Sequence, residues 1–109
     1  LLGRDTLIHA GLCYGAKGSI AACANVAPRL VADIYDKYVA GDVQGSLEAQ
    51  FKLAPLRIAF NLGTFPAVIK ESLELLGIDA GACMAPVGPM SAEERRQLKK
   101  ILADMGLLN

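Results

Sequence analysis

Two short apolar runs, residues 1–3 and 19–23, frame one amphipathic segment at the start of the chain, and no strand pattern follows them. Leu1-Leu2-Gly3 reads as the end of a strand. Ser19-Ile20-Ala21-Ala22-Cys23 lies between turn signals and suits a buried strand. Between them Leu7, Ile8 and Leu12 mark a helix that Gly15 ends, with Asp5 or Thr6 placed to cap it. Strand, helix and strand at this spacing make a βαβ unit, whose two strands run parallel. Two strands do not make a self-sufficient sheet. Both are apolar, so both need further strands beside them, and the chain reads as part of a larger domain. Its opening on Leu1 rather than Met agrees with that expectation.

The rest of the pattern is helical. Pro28 suits a first helical position, because its missing N–H has no intrahelical partner to lose there. Leu30, Val31, Ile34, Tyr35, Tyr38 and Val39 then recur on one face up to Gly41. Asp42 is placed to cap a second helix that runs through Leu47, Phe51 and Leu56 toward Asn61 and Gly63. Pro55 lies inside it and should kink it. Pro66 opens a third helix with Val68, Ile69, Leu73 and Leu76, terminated by Gly77. Residues 78–90 read as an irregular connector. Ser91 and Glu94 have the spacing of a capping box, and Leu98, Ile101, Leu102 and Met105 face inward until Gly106. Glu93, Arg95, Arg96, Lys99 and Lys100 read as the solvated face of that last helix. The fold class is α/β: a βαβ opening followed by a mainly α-helical region.

Composition narrows the function. The chain has 109 residues, enough for one core, and 53% of them are hydrophobic, an excess that points to surfaces covered by something else. Lys plus Arg (11) balance Asp plus Glu (11) with no basic run to neutralise phosphates, which argues against a nucleic-acid partner. No apolar stretch approaches the ~20 residues of a membrane span, and no signal-peptide pattern opens the chain. Cys13, Cys23 and Cys83 match neither a zinc spacing nor a disulfide framework. They read as small core residues of a protein in the reducing cytoplasm. His9 reads as a surface or interface histidine, and Lys70 and Glu71 as a solvated face. Gly15-Ala16-Lys17-Gly18 lacks the Gly-Lys-Ser/Thr ending of a phosphate loop and precedes a strand rather than a helix.

Three segments carry a resemblance: Gly3-Arg4-Asp5; Gly15-Ala16-Lys17-Gly18-Ser19-Ile20; and Asn25-Val26-Ala27-Pro28. Their order and spacing resemble the seventh and eighth strands of the dihydrodipicolinate synthase and N-acetylneuraminate lyase family of class I aldolases. Downstream, Gly41-Asp42, Leu53-Ala54-Pro55-Leu56, Pro66 with Lys70-Glu71, and the capped last helix resemble that family's C-terminal helices. The resemblance covers essentially the whole chain.

The resemblance implies a (β/α)8 TIM barrel of ~250 residues, of which this chain holds the C-terminal portion with the last two strands. Residues 1–28 would end the barrel as strand 7, helix 7 and strand 8. Residues 29–109 would form helix 8 and the C-terminal helical region, the whole being one truncated domain. It also implies lyase chemistry, in which a sixth-strand lysine forms a Schiff base with pyruvate or another 2-oxo acid and makes it an electron sink. That lysine, the proton-relaying tyrosine and the hydroxyl-rich loop for the carboxylate lie upstream in the family. No catalytic residue, metal or cofactor is therefore expected here, and the chain alone should be inactive.

What the resemblance assigns to this chain is a substrate-binding wall. Gly3 would bring bare backbone against the substrate, and the backbone carbonyl of Ile20 would face the Schiff-base region. Asp5 and Thr6 stand where sugar-acid lyases hold substrate hydroxyls, although capping is the favoured reading of Asp5. Ala22 replaces a serine of the sialic acid lyases and Thr6 an acidic residue, so both speak against N-acetylneuraminate as substrate. Asn25 is expected to organise the loop after the eighth strand. The expected partner is the missing N-terminal barrel portion or another copy of the chain, rather than a free monomer. The alternative is a non-catalytic helical module for self-association or interaction.

Overall fold

The computed structural model describes residues 3–63, 65–81 and 90–108. They divide into two compact units, Leu1–Arg57 and Ile58–Asn109. Among the described residues five α-helices carry the fold: α1 (Ile8–Cys13), α2 (Pro28–Val39), α3 (Val43–Ala59), α4 (Phe65–Leu75) and α5 (Ala92–Asp104). Short 3-10 turns stand at Asp5–Leu7, Ala22–Asn25 and Phe60–Leu62.

Four helices end in the same way. At the end of α2 the Asp42 N–H reaches the Lys37 carbonyl (2.8 Å) and the Gly41 N–H reaches that of Tyr38 (3.1 Å), with Gly41 at φ +89°. This is a Schellman motif, and its left-handed residue has to avoid a Cβ clash, hence glycine. Gly15, Gly77 and Gly106 repeat the pattern after α1, α4 and α5. Helix starts are equally local. Asp42 Oδ1 accepts the Gly45 N–H (2.9 Å) at the start of α3. Ser91 and Glu94 close the reciprocal capping box of α5.

In the first unit α1 and the Ala22–Asn25 turn both pack on α2. On α3, Ser46, Ala49, Gln50, Leu53 and Leu56 are buried, the three-to-four spacing of a single helix face. Ile8, Leu12, Cys23, Val26, Ala27 and Ile34 complete this core. Pro55 sits on the opposite, exposed face of α3, one turn after exposed Phe51. The helix runs on through it, because the carbonyl that loses its partner is that of Phe51, on the side open to water. In α2 only Ile34 is fully buried. Tyr35 and Val39, expected on the inward stripe, are exposed, because that stripe is wider than the surface this unit lays against it.

In the second unit α4 packs on α5 and on the Phe60–Leu62 turn, burying Phe60, Ala67, Val68, Leu98 and Leu102. Ser72, fully buried on α4, satisfies its hydroxyl on the Val68 carbonyl one turn back (2.8 Å). Arg95 does not belong to a purely solvated face. Its guanidinium lies 3.2 Å from Glu71 and 3.6 Å from Glu74 on α4, while Arg96 pairs within α5 to Glu93 (2.6 Å).

The expected strand at residues 19–23 is corrected. Among the described residues Ser19 has one isolated bridge, Ile20 and Ala21 belong to no strand, and Ala22–Asn25 winds into a 3-10 turn. The physical reason is that a strand is defined by a continuous ladder, and among the described residues this run shows no more than one bridge. The backbone still has extended dihedrals at Arg4 (φ −114°, ψ 114°), just after the first expected strand, and at Ala21 (φ −126°, ψ 122°), within the second. Of the first expected strand, residues 1 and 2 lie outside the described residues, as do most of the connector at 78–90 and Cys83. The parallel pairing of the two strands falls there too.

Candidate functional site

The stretches around Arg4 and Ala21 are tied together by Asp5. Its side chain is 3% exposed, and Oδ2 accepts the backbone N–H of Cys23 at 2.8 Å, across 18 positions of sequence. The Asp5 carbonyl accepts from Gln50 Nε2 (2.8 Å), and Gln50 Oε1 accepts the His9 N–H (2.9 Å). Asp5 therefore caps no helix, contrary to the favoured expectation, and neither the Asp5–Leu7 turn nor α1 has a side-chain cap. The carboxylate spans two segments because it is buried where the Cys23 amide has no water to turn to.

Around this clamp the other expected residues fall as follows. Gly3 is exposed, and a Cβ built on it would meet nothing within 4 Å. Ile20 is 73% exposed. Thr6 is half-buried next to Asp5. Asn25 Nδ2 donates to the Ala22 carbonyl (3.1 Å) and so holds the turn it was expected to organise. An open apolar groove of about 390 Å³ is lined by Leu7, Ala10, Gly11, Tyr14 and Ala16. Among the described residues no group of His, Cys, Asp and Glu is arranged to hold a metal ion, and no helix is long and apolar enough to cross a membrane.

His9 is buried rather than at the surface. Its Nδ1 lies 2.8 Å from Ser46 Oγ, its Nε2 lies 3.6 Å from Cys13 Sγ, and its ring meets Tyr38 edge-on. Ser46 and Gln50 were not singled out from the sequence. Their signal was present: two polar residues one turn apart inside the apolar stripe of α3, which are tolerated there only when hydrogen-bonded.

The cysteines separate. Cys13 is exposed, whereas Cys23 is fully buried as expected. Burial, then the hydrogen bond to Asp5 and its negative charge, push the Cys23 thiol far above its ordinary 9.0, outweighing the opposing pull of Arg57. The unfolded chain releases this proton as pH rises past 9.0 and the folded chain keeps it, so the stability it provides is complete below 9.0 and is lost on going higher. Urea midpoints at pH 7.5 and pH 10 are expected to fall further apart in the natural chain than in Cys23→Ala. Equal pH dependence in the two would remove the thiol as the cause.

Known proteins resemble this chain. The model of the dihydrodipicolinate synthetase family matches residues 1–105. A DapA-like lyase of Halobacterium salinarum is 38% identical over 99% of this chain and 36% of its own length. A 4-hydroxy-tetrahydrodipicolinate synthase of Archaeoglobus fulgidus is 34% identical over all of this chain and 38% of its own. Among solved structures, a prophage protein of the dihydrodipicolinic acid synthase family from E. coli K12, in complex with pyruvate, superposes with a TM-score of 0.92 at 28% identity. That match covers 98% of this chain and 37% of that one. The chain thus spans little more than a third of these relatives, and over that third it belongs to the dihydrodipicolinate synthetase family.

Proposed function

We propose that these residues form the C-terminal portion of a lyase that acts on pyruvate or another 2-oxo acid through a lysine Schiff base, the lysine lying outside the 109 residues. In this reading residues 1–28 end a (β/α)8 barrel, and residues 29–109 supply its eighth helix and the helices beyond. The observation that carries it is the Asp5–Cys23 clamp, which joins two stretches that carry extended dihedrals at Arg4 and Ala21. Such a tie suits adjacent strand ends, where barrel enzymes place their sites. In this reading Gly3 and Ile20 form the substrate wall. Gly3 leaves room for a ligand against its backbone, and Ile20 offers its carbonyl to the Schiff-base region. Asp5 acts as a positioning residue, its carboxylate being committed to Cys23, and Thr6 is the neighbour left to meet a substrate hydroxyl. The exposed Leu7, Tyr14 and Ile20 are then surfaces for the remainder of the barrel.

The test joins this chain to the preceding two thirds of the Archaeoglobus synthase and follows pyruvate turnover. Activity is expected, with Gly3→Val lowering it about 100-fold by displacing the substrate from the wall. Full activity in Gly3→Val would remove this wall from the site.

A further inference from the structure

We infer that Cys13 is a modification site, activated by His9 for exchange with small-molecule disulfides; this does not depend on the lyase reading. The inference rests on the proton inventory of three side chains. Ser46 has one hydroxyl proton, and it is given to the Ile34 carbonyl at 2.7 Å. Toward His9, 2.8 Å away, the same oxygen can only accept, so His9 Nδ1 carries a proton. In the neutral ring the lone pair is then on Nε2, and Nε2 faces Cys13 Sγ at 3.6 Å, one turn further along α1.

The ring has little freedom to turn away. Ser46 holds one edge, Tyr38 packs against it with ring centres 6.1 Å apart, and the backbone N–H of His9 is fixed by Gln50. The base is 9% exposed while the thiol it serves is exposed to solvent. Nucleophile, base and orienting hydroxyl thus stand in the order that activates cysteine in thiol chemistry. Cys23 makes the contrast: it is enclosed, and its nearest acidic group, Asp5, holds the proton on sulfur.

The step balances without a further oxidant. The Cys13 proton passes to His9 Nε2 as Sγ attacks one sulfur of R–S–S–R. The new S–S bond forms, the old one breaks, and the departing thiolate takes the proton from Nε2 to leave as R–SH. Cys13 is oxidised and the departing sulfur reduced.

The probe is hydroxyethyl disulfide, with the mixed disulfide mapped by mass to the peptide that contains Cys13. His9→Asn keeps a donor toward Ser46 and removes the base. It is expected to slow labelling of Cys13 about tenfold or more. The natural chain supplies a second readout that needs no variant: Cys13 should react faster in the folded chain than in 6 M guanidinium, although folding by itself only restricts access. A folded-state rate no higher than the unfolded rate, or an unchanged rate in folded His9→Asn, would overturn the inference.

Discussion

Replacing Leu53 by alanine is expected to destabilise the chain by about 2–5 kcal/mol, whereas Phe51→Ala, two positions away, should change stability by no more than about 0.5 kcal/mol. Leu53 has no exposed surface and lies on the same face of α3 as Ala49 and Leu56. Removing its branched carbons forfeits their transfer energy and leaves a void in a core that closes only in part. Phe51 is the larger side chain but is 64% exposed, on the side of the helix that also carries Pro55 and Ile58. Size alone therefore ranks the pair the wrong way round, and the helix face decides. An ordinary domain is stable by only ~5–15 kcal/mol, so the Leu53 variant should show a large fall in its urea midpoint. Comparable losses in the two variants would mean that α3 is turned differently from the face described here.

Asp5→Ala is expected to cost about 3 kcal/mol and Asp5→Asn about half of that or less. The alanine leaves the Cys23 N–H buried without an acceptor and cuts the tie between the stretches around Asp5 and Cys23. Asparagine keeps an oxygen of the right reach and gives up the charge that strengthens the bond. The comparison separates a hydrogen-bonding role from mere filling of space. Equal losses by denaturant titration would show that the amide contact at 2.8 Å carries no weight.

What could be read in advance was whatever is decided within one turn of chain. Gly15, Gly41, Gly77 and Gly106 end helices, and Ser91 with Glu94 starts one, because each signal and its partner lie within a few residues. The resemblance on Gly3, Asp5, Ile20 and Asn25 likewise pointed to the family that residues 1–105 match. Interactions across long separations were not legible. Asp5 looked like a cap because Cys23, its true partner, is 18 residues away. His9 looked like a surface group because Ser46 and Gln50 come some forty residues later. The run at residues 19–23 has strand composition, but a strand forms by pairing, and among the described residues it has one isolated bridge at Ser19. Cys13 and Cys23 are alike as letters and differ only through what folds around them.

The site of pyruvate attachment tests the central claim most directly. The chain joined to the upstream portion of the Archaeoglobus synthase is treated with pyruvate and borohydride, digested, and its modified lysine located by mass, with the 109-residue chain treated in parallel. The expected result is one reduced adduct per joined molecule, on a lysine of the upstream portion, and none on the chain by itself. An adduct near full occupancy on Lys17, Lys37, Lys52, Lys70, Lys99 or Lys100, in either sample, would contradict it.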